Sequence, residues 1–342
     1  MKTVRLISFI IILTIALAAC TSSSPPEKMP TASPEAVVAS PKPFRVAVIM
    51  PSAVNDLAFS QSMYDALVRI QNEMGGPEKM QFAYSQGMFI IDDAAAALRI
   101  YASQDYDLVI AHGSQYAKSI KEIAPNFPTV SFVLTNAVEP TNLPNVFDVV
   151  AVAQEGGYVN GVLAASLTSS KVIGVIGPVD AGEAKQYIDG FKAGVTATNP
   201  EIQVNINYIG SFSDVVKASE AAIDQISAGT DVMTGTAQMV VGPIGTANKN
   251  NVLWFGTQSN QSSLAPKVVV ANQVYHWEVA LQEVIVNIQS GVTGGEMFAI
   301  NLANGGEVIE YNPDYSLFAK AKILGDATVQ GIIDGTITIS LP

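Results

Sequence analysis

The amino-acid sequence predicts an α/β protein built from two doubly wound, Rossmann-like lobes. Short apolar runs rich in Val and Ile alternate with stretches of helical period, and this pattern starts again after about residue 150. Hydrophobic residues make up 49% of the 342 residues and charged residues only 14%, which is typical of parallel strands buried on both faces. A chain of this length is sufficient for two ordinary domains.

The first lobe begins with the apolar run 44–50, followed by Pro51 and a polar loop, which is the pattern of a buried strand before a turn. Apolar side chains then recur at helical spacing over 59–74, and two glycines end the pattern. The same alternation continues with strand 80–85, helix 92–103, strand 107–111, helix 115–124 and strand 130–135. It predicts a parallel sheet that is covered by helices on both faces.

The second lobe repeats this arrangement. Its predicted elements are helix 157–167, strand 171–176, helix 184–198, strand 204–209, helix 215–228 and strand 231–234. Its first strand and the turn after it, VIGVIGP at 172–178, loosely match VAVIMP at 46–51.

A ligand cleft is expected where the two sheets face each other. In open α/β sheets, ligands bind beyond the carboxyl ends of the strands, where loops and helix N-termini converge. The loops expected to line the cleft are 51–59, 112–115, the neighbourhood of Asn136, 177–186, 235–240 and 256–261.

The N-terminus has the pattern of an export signal. Lys2 and Arg5 precede the apolar run 6–19, which is shorter than a comfortable membrane span of about 20 residues. The tetrapeptide LAAC at 17–20 is similar to a bacterial lipobox, and this resemblance implies cleavage before Cys20 and lipid on that residue. A soluble export signal that happens to contain a cysteine, or a plain membrane helix, are the alternatives.

The segment that follows predicts a flexible linker, so that 1–19 is the signal peptide and 20–43 is the lipidated N-terminus with its linker. Ser, Thr, Pro, Ala and Lys dominate residues 21–43, and such a composition cannot bury enough surface to fold. We therefore expect a protein that is held by lipid at the extracytoplasmic face of the cell membrane. We also expect it to be a monomer.

Composition and motifs disfavour several classes of function. The net charge is −12 at pH 7 and no basic stripe is visible, so nucleic acid is not an expected partner. Two distant histidines and the single Cys20 form neither a disulfide nor a clustered metal site. The glycine-rich segment 174–182 lacks the G-K-[ST] ending of a phosphate loop, and G-x-S-x-G is missing. We expect no catalytic residue, no metal and no cofactor.

Six motifs, in this order, resemble the basic membrane protein family of ABC-transporter lipoproteins, whose best understood members bind purine nucleosides. They are NDLAFS at 55–60, FPTVSF at 127–132, EGGYVNGVLAA at 155–165, GFKAG at 190–194, YIGSFSD at 208–214 and FGTQSNQ at 255–261. The resemblance implies the type I periplasmic-binding-protein fold, with two lobes joined by a hinge of three crossing strands. The implied lobes are 44–137 plus about 259–296, and about 138–258 plus about 297–342.

The resemblance also implies an aromatic slot for a flat ring. Asp56 matches the Asp of the family's D-x-x-F loop, Phe59 matches the Phe that stacks on a purine, and Tyr187 is the expected facing aromatic on the second lobe. Simpler roles are also open. Asp56 is well placed to cap a helix, Phe59 to begin a helix core, and Tyr187 to be an ordinary half-buried aromatic.

This chain departs from the family where nucleosides are held by their sugar. Gln258 and Asn260 stand where the family usually has two aspartates, and Tyr275 stands where nucleoside binders tend to have a lysine. Amides keep hydrogen bonds but lose the charge-assisted ones, which are roughly twice as strong. The ligand implied is a purine nucleoside or nucleobase, while a modified nucleoside or another aromatic metabolite stays open.

The full set of predicted ligand-binding residues combines these matches with the cleft loops. They are Asp56, Phe59, Ser60, His112, Gly113, Asn136, Gly177, Tyr187, Gly235, Gln258, Asn260, Tyr275 and Trp277. The alternatives are a structural histidine for His112, pinning of the hinge for Gln258 and Asn260, and core packing for Tyr275 and Trp277.

The resemblance implies a hinged clamp whose closed form an ABC permease and ATPase recognise. A sensor that reports to a membrane receptor is the alternative, and a lipid-anchored enzyme on a similar scaffold is a third.

Overall fold

The computed structural model describes residues 42–341, and within them the strands form two six-stranded sheets. The predicted signal peptide, Cys20 and nearly all of the linker lie outside the described residues. The strands are β1 Phe44–Ile49, β2 Met80–Ser85, β3 Leu108–Ala111, β4 Ser131–Thr135, β5 Val146–Ala151, β6 Val172–Gly177, β7 Gln203–Tyr208, β8 Val232–Gly235, β9 Leu253–Gly256, β10 Val269–Tyr275, β11 Met297–Ile300 and β12 Glu307–Tyr311. The helices are α1 Phe59–Glu73, α2 Ile91–Ala102, α3 Ala117–Ile123, α4 Gln154–Leu167, α5 Gly182–Thr198, α6 Val215–Ser227, α7 Val241–Asn250, α8 Glu278–Gln289 and α9 Ala319–Ile333.

Each sheet is the centre of one α/β lobe. The first has the strand order β11-β5-β4-β3-β1-β2 and is parallel throughout. The second has the order β12-β10-β9-β8-β6-β7, in which only β12 runs antiparallel. The prediction of two doubly wound α/β lobes is confirmed, and the elements predicted between residues 44 and 234 lie within a few residues of the observed ones.

Three connections cross between the sheets, and they lie later in the chain than the expected lobe boundaries. The chain passes from β5 to α4, from β10 to α8 and from β11 to β12. The expected boundaries gave β5 and β11 to the second lobe and β10 to the first, whereas the structure has the reverse. Each of these strands is a short run that fits either sheet, and long-range pairing, which the local pattern does not contain, decides which sheet it joins.

Burial explains why these segments form these elements. All four residues of β3 and all five of β4 are buried, as expected for central strands between two helical layers. Helix α1 instead buries one face, formed by Phe59, Met63, Leu67 and Ile70 at helical spacing.

Helices α4 and α5 of the second lobe touch backbone to backbone. A β-carbon at Gly161 would lie 2.1 Å from the carbonyl oxygen of Phe191, and one at Gly194 would lie 2.1 Å from that of Tyr158. The glycines of the EGGYVNGVLAA and GFKAG motifs thus allow a close helix pair that no larger residue permits.

Helix α8 packs on α1 in the first lobe through a two-point ion pair. The Nε of Arg69 lies 2.6 Å from Oε1 of Glu278, and its second nitrogen donates to Oε2 at 2.9 Å. None of the helices formed by residues 42–341 has the length and apolar character needed to cross a bilayer.

Candidate functional site

A cleft of about 410 Å³ opens at the carboxyl ends of the strands, a volume that suits a drug-sized molecule. Side chains from both lobes line it. They are Pro51, Phe59, Phe89, Ile91, Gly113, Ser114, Gln115, Asn136 and Val138 from the first lobe, and Val179, Ala181, Gly182, Glu183, Ala184, Phe212, Ala237, Gln238 and Gln258 from the second. The lining comes mostly from the loops that the rule for open α/β sheets selects, and most of its larger side chains are apolar.

Phe59 is the aromatic side chain that the first lobe contributes from the start of α1. Its ring stacks on the imidazole of His112, with 3.8 Å between the ring centroids and 11° between the planes. The indole of Trp277 meets both rings edge-on, at 5.9 Å from Phe59 and 5.2 Å from His112. Phe59 is therefore held rigidly by a buried aromatic cluster while it lines the cleft.

His112 supports Phe59 from behind. Its imidazole is fully buried, with Nε2 2.9 Å from the carbonyl oxygen of Phe59 and Nδ1 3.1 Å from the hydroxyl of Thr135. Burial lowers the pKa of His112 to about 3, so the ring is neutral at physiological pH. The structure thus places His112 behind the cleft wall. This position agrees with the alternative in which His112 is a structural histidine.

Asp56 caps α1 instead of lining the cleft. Its carboxylate accepts the backbone N–H groups of Ala58, Ser60 and Gln61 at 2.9 to 3.2 Å. Burial raises the pKa of Asp56, and these three bonds oppose that effect. The hydroxyl of Ser60 is also committed, because it accepts the backbone N–H of Ser52 at 3.0 Å.

Three predicted aromatic residues lie in the core, not in the cleft wall, and each is fully buried. The Tyr187 hydroxyl lies 2.8 Å from that of Thr234, and the indole N–H of Trp277 donates to Ser62 at 2.9 Å. Tyr275 lies one layer behind the cleft and donates its hydroxyl to Glu183. The aromatic side chain of the second lobe that does line the cleft is Phe212, which corrects the expectation for Tyr187.

The four predicted residues of the strand ends divide into two pairs. Gly113 and Asn136 line the cleft in left-handed backbone conformations, with φ of 136° and 54°. Gly177 and Gly235 are buried in the sheet, where a β-carbon would lie 2.6 Å from Ile188 and 2.7 Å from the carbonyl oxygen of Ile176, respectively. The second pair serves packing.

Glu183 and Gln258 form the polar end of the cleft. The amide nitrogen of Gln258 donates to Oε2 of Glu183 at 3.2 Å, and Tyr275 donates to the other oxygen. Burial raises the pKa of Glu183, an effect that both donors oppose. Asn260 points elsewhere, because its amide donates to Glu310 at 2.6 Å. Among residues 42–341, no three His, Cys, Asp or Glu side chains are grouped to hold a metal ion.

Sequence reasoning missed four of the larger lining side chains. Phe89 lies in the segment between β2 and α2, which was not among the predicted cleft loops, and Ile91 is the first residue of α2. Phe212 belongs to the YIGSFSD motif but received no role, and Glu183 is one of two carboxylates in the predicted loop 177–186. Nothing in the sequence distinguishes Glu183 from Asp180.

Two facing α/β lobes with an apolar cleft between them are the arrangement expected of a protein that binds a small molecule. A family model described as "ABC transporter substrate-binding protein PnrA-like" matches residues 44–338. The chain belongs to this Bmp family and is an ABC transporter substrate-binding protein, which confirms the resemblance found in its motifs.

Curated relatives match more than half of the chain. The nucleoside-binding protein BmpA of Lactococcus lactis is 25% identical over 84% of this chain and 86% of its own length. Transcriptional activator protein med of Bacillus subtilis is 24% identical over 73% of this chain and 77% of its own. A purine-binding protein of Brucella abortus is 25% identical over 58% of this chain and 56% of its own.

Two solved structures show the same fold. An ABC transporter solute-binding protein of Aeropyrum pernix superimposes with a TM-score of 0.75 and 19% identity, covering 88% of this chain and 94% of its own. One from Conexibacter woesei superimposes with a TM-score of 0.72 and 22% identity, covering 87% and 99%. Both likenesses concern the fold alone.

Proposed function

We propose that this protein captures a small planar molecule, a purine nucleoside or nucleobase, between its lobes and delivers it to an ABC permease and ATPase. The observation that carries the proposal is that Phe59 and Phe212 line one apolar cleft from opposite lobes. Stacking of a base on an aromatic side chain contributes about 1 to 3 kcal/mol. The printed names of two relatives, nucleoside-binding and purine-binding, support the same ligand class.

The proposed mechanism is a hinged clamp. A ligand that contacts both lobes only in the closed form shifts the population toward closure, and the closed form is what a transporter recognises. The crossings between the sheets follow β5, β10 and β11. In the proposed mechanism the lobes rotate about these connections, so that Phe212 moves toward Phe59 while each sheet keeps its strand pairing.

We also propose the cellular setting that the N-terminal sequence indicates. Cleavage before Cys20 and lipidation of that residue would leave residues 21–43 as a linker before β1. The protein would then be a monomer tethered at the extracytoplasmic face of the membrane, close to its transporter.

A second candidate function is ligand sensing. One curated relative is named a transcriptional activator, so a related scaffold is associated with regulation in another organism. Uptake of the ligand that depends on the permease supports transport, whereas a regulatory response that persists without the permease supports sensing.

Calorimetric titration of full-length protein, unfolded and refolded to remove carried-over ligand, tests the ligand class. Purine nucleosides and nucleobases are compared with small sugars. Phe212→Ala is a suitable probe, since Phe212 is 43% exposed and its loss leaves the core intact. We expect it to weaken purine binding about 5- to 150-fold, the equivalent of one lost stacking contact.

The matched control is Val216→Ala, because Val216 lies on the same lobe, is 70% exposed and does not line the cleft. It should leave the affinity unchanged. Binding of a sugar but of no purine would overturn the ligand class and keep the clamp.

A further inference from the structure

The polar end of the cleft contains a carboxyl group that has no cation of the protein beside it. Within residues 42–341, Glu183 is the only ionisable side chain that lines the cleft. It belongs to none of the ion pairs formed in this part of the chain. Its hydrogen-bond donors, Tyr275 and Gln258, are both neutral. The carboxylate is therefore positioned without a cation of the protein beside it.

Two amide oxygens add to this excess of acceptors. Oε1 of Gln258 and Oε1 of Gln238 are buried without a hydrogen-bond partner, and both side chains line the cleft while being only 2% and 9% exposed. The orientation of the Gln258 amide follows from Glu183, because its nitrogen and not its oxygen must face a carboxylate. Buried acceptors without partners are costly, and a ligand with N–H groups satisfies them.

We propose, on the basis of the proposed function, that Glu183 reads an N–H-bearing edge of the planar ligand, and that the cleft rejects anionic ligands. An amino-substituted purine base or an amidine has such an edge. The charge-assisted bond to Glu183 is stronger than one between neutral groups. A phosphate or carboxylate in the same space finds no cationic partner, and Glu183 in its ionised form repels it.

Glu183 thereby supplies a carboxyl group beside the loop in which the expected carboxylates are missing. The loop after β9 carries Gln258 and Asn260 where carboxylates were expected, and only Gln258 lines the cleft. The carboxylate comes instead from Glu183 in the first turn of α5, which accepts a hydrogen bond from the amide of Gln258. Gln258 then positions Glu183, while Glu183 contacts the ligand.

Two pairs of nucleosides that differ by one amino group test this assignment on the full-length protein. Adenosine is compared with purine riboside, and guanosine with inosine, by calorimetric titration. We expect the amino-bearing member of at least one pair to bind 10-fold or more tightly than its partner. Glu183→Gln should abolish that difference, and the 5′-monophosphates should bind at least 10-fold more weakly than the nucleosides.

The control variants separate charge from folding. Glu220→Gln removes the same charge from an exposed position on the same lobe and should change nothing. Glu183→Asp keeps the charge but withdraws it by one methylene, so it should retain part of the preference. Melting temperatures near that of the parent confirm that each variant is folded.

The outcomes distinguish this inference from the proposed function. If nucleosides bind and Phe212→Ala weakens them, but Glu183→Gln does not, the function stands and the role of Glu183 is refuted. Monophosphates that bind as well as nucleosides refute it too. If no purine binds, benzamidine and benzoate decide. If benzamidine binds, benzoate does not, and binding depends on Glu183, the role of Glu183 is supported although the ligand is not a purine. If benzamidine also fails to bind, the purine ligand class and the role of Glu183 are both overturned.

Discussion

Replacing Gly161 by Ala should destabilise the second lobe by about 1 to 2 kcal/mol. Its β-carbon would lie 2.1 Å from the Phe191 carbonyl oxygen, although ordinary contacts begin at 3.4 Å. The two helices must therefore separate by about 1 Å. Overpacking of this kind costs about 1 to 3 kcal/mol or more, and a rigid backbone oxygen cannot rotate away. The helix propensity gained by Ala, about 0.5 to 1 kcal/mol, offsets part of that cost.

Urea unfolding followed by fluorescence measures the effect. The chain has two tryptophans, and Trp254 on β9 is fully buried in the second lobe. In a Trp277→Phe background, Trp254 alone reports on that lobe. A lower midpoint at unchanged slope then gives the loss of stability directly.

Gly245→Ala in α7 is the matched control. No atom lies within 4 Å of the β-carbon it would add. The same substitution should therefore stabilise by about 0.5 to 1 kcal/mol through propensity alone. If Gly161→Ala unfolds at the same urea concentration as the parent, the close backbone contact between α4 and α5 is refuted.

Two further predictions concern the first lobe. The pKa of His112 falls from 6.5 to about 3 on folding, so the unfolded chain binds more protons between these values and stability drops as pH falls through this window. The parent should lose roughly 1.4 kcal/mol more than His112→Asn between pH 7.5 and 5.5, and equal losses in urea titrations would exclude a buried neutral imidazole. Arg69→Met leaves the largely buried carboxylate of Glu278 without its partner and should lower the free energy of unfolding by about 1 to 3 kcal/mol. A second substitution, Glu278→Gln, should restore most of that loss. If this double-mutant cycle gives no coupling free energy between Arg69 and Glu278, their ion pair contributes nothing to stability.

Elements with a strong local pattern could be predicted from the sequence. Helix α6 buries Ala218, Ala221, Ala222 and Gln225 at helical spacing. Asp214 caps the helix, so the sequence predicts where it begins. Strand β6 is a continuous apolar run that ends in a glycine and a proline. Sheet membership could not be predicted for β5, β10 and β11, because it depends on partners far along the chain.

The candidate site could likewise be predicted only in part. Loop positions follow from topology, since parallel strands bring their carboxyl ends to one edge. Which side chain of a loop faces the cleft depends on backbone turns that no single residue reveals. Tyr187 and Phe212 are both aromatic and both lie on the second lobe, yet a bond to Thr234 keeps Tyr187 in the core while Phe212 is exposed at the cleft.

The central claim is that a planar ligand closes the two lobes. Spin labels at Ile90→Cys and Val216→Cys, exposed positions on opposite lobes next to cleft-lining segments, report the separation across the cleft. Cys20 is the only natural cysteine, so its replacement by Ser leaves two unique labels. We predict that a saturating purine nucleoside shifts the double electron–electron resonance distances to shorter values, and that Phe212→Ala requires more ligand for the same shift. Saturable binding with an unchanged distance distribution would contradict the clamp.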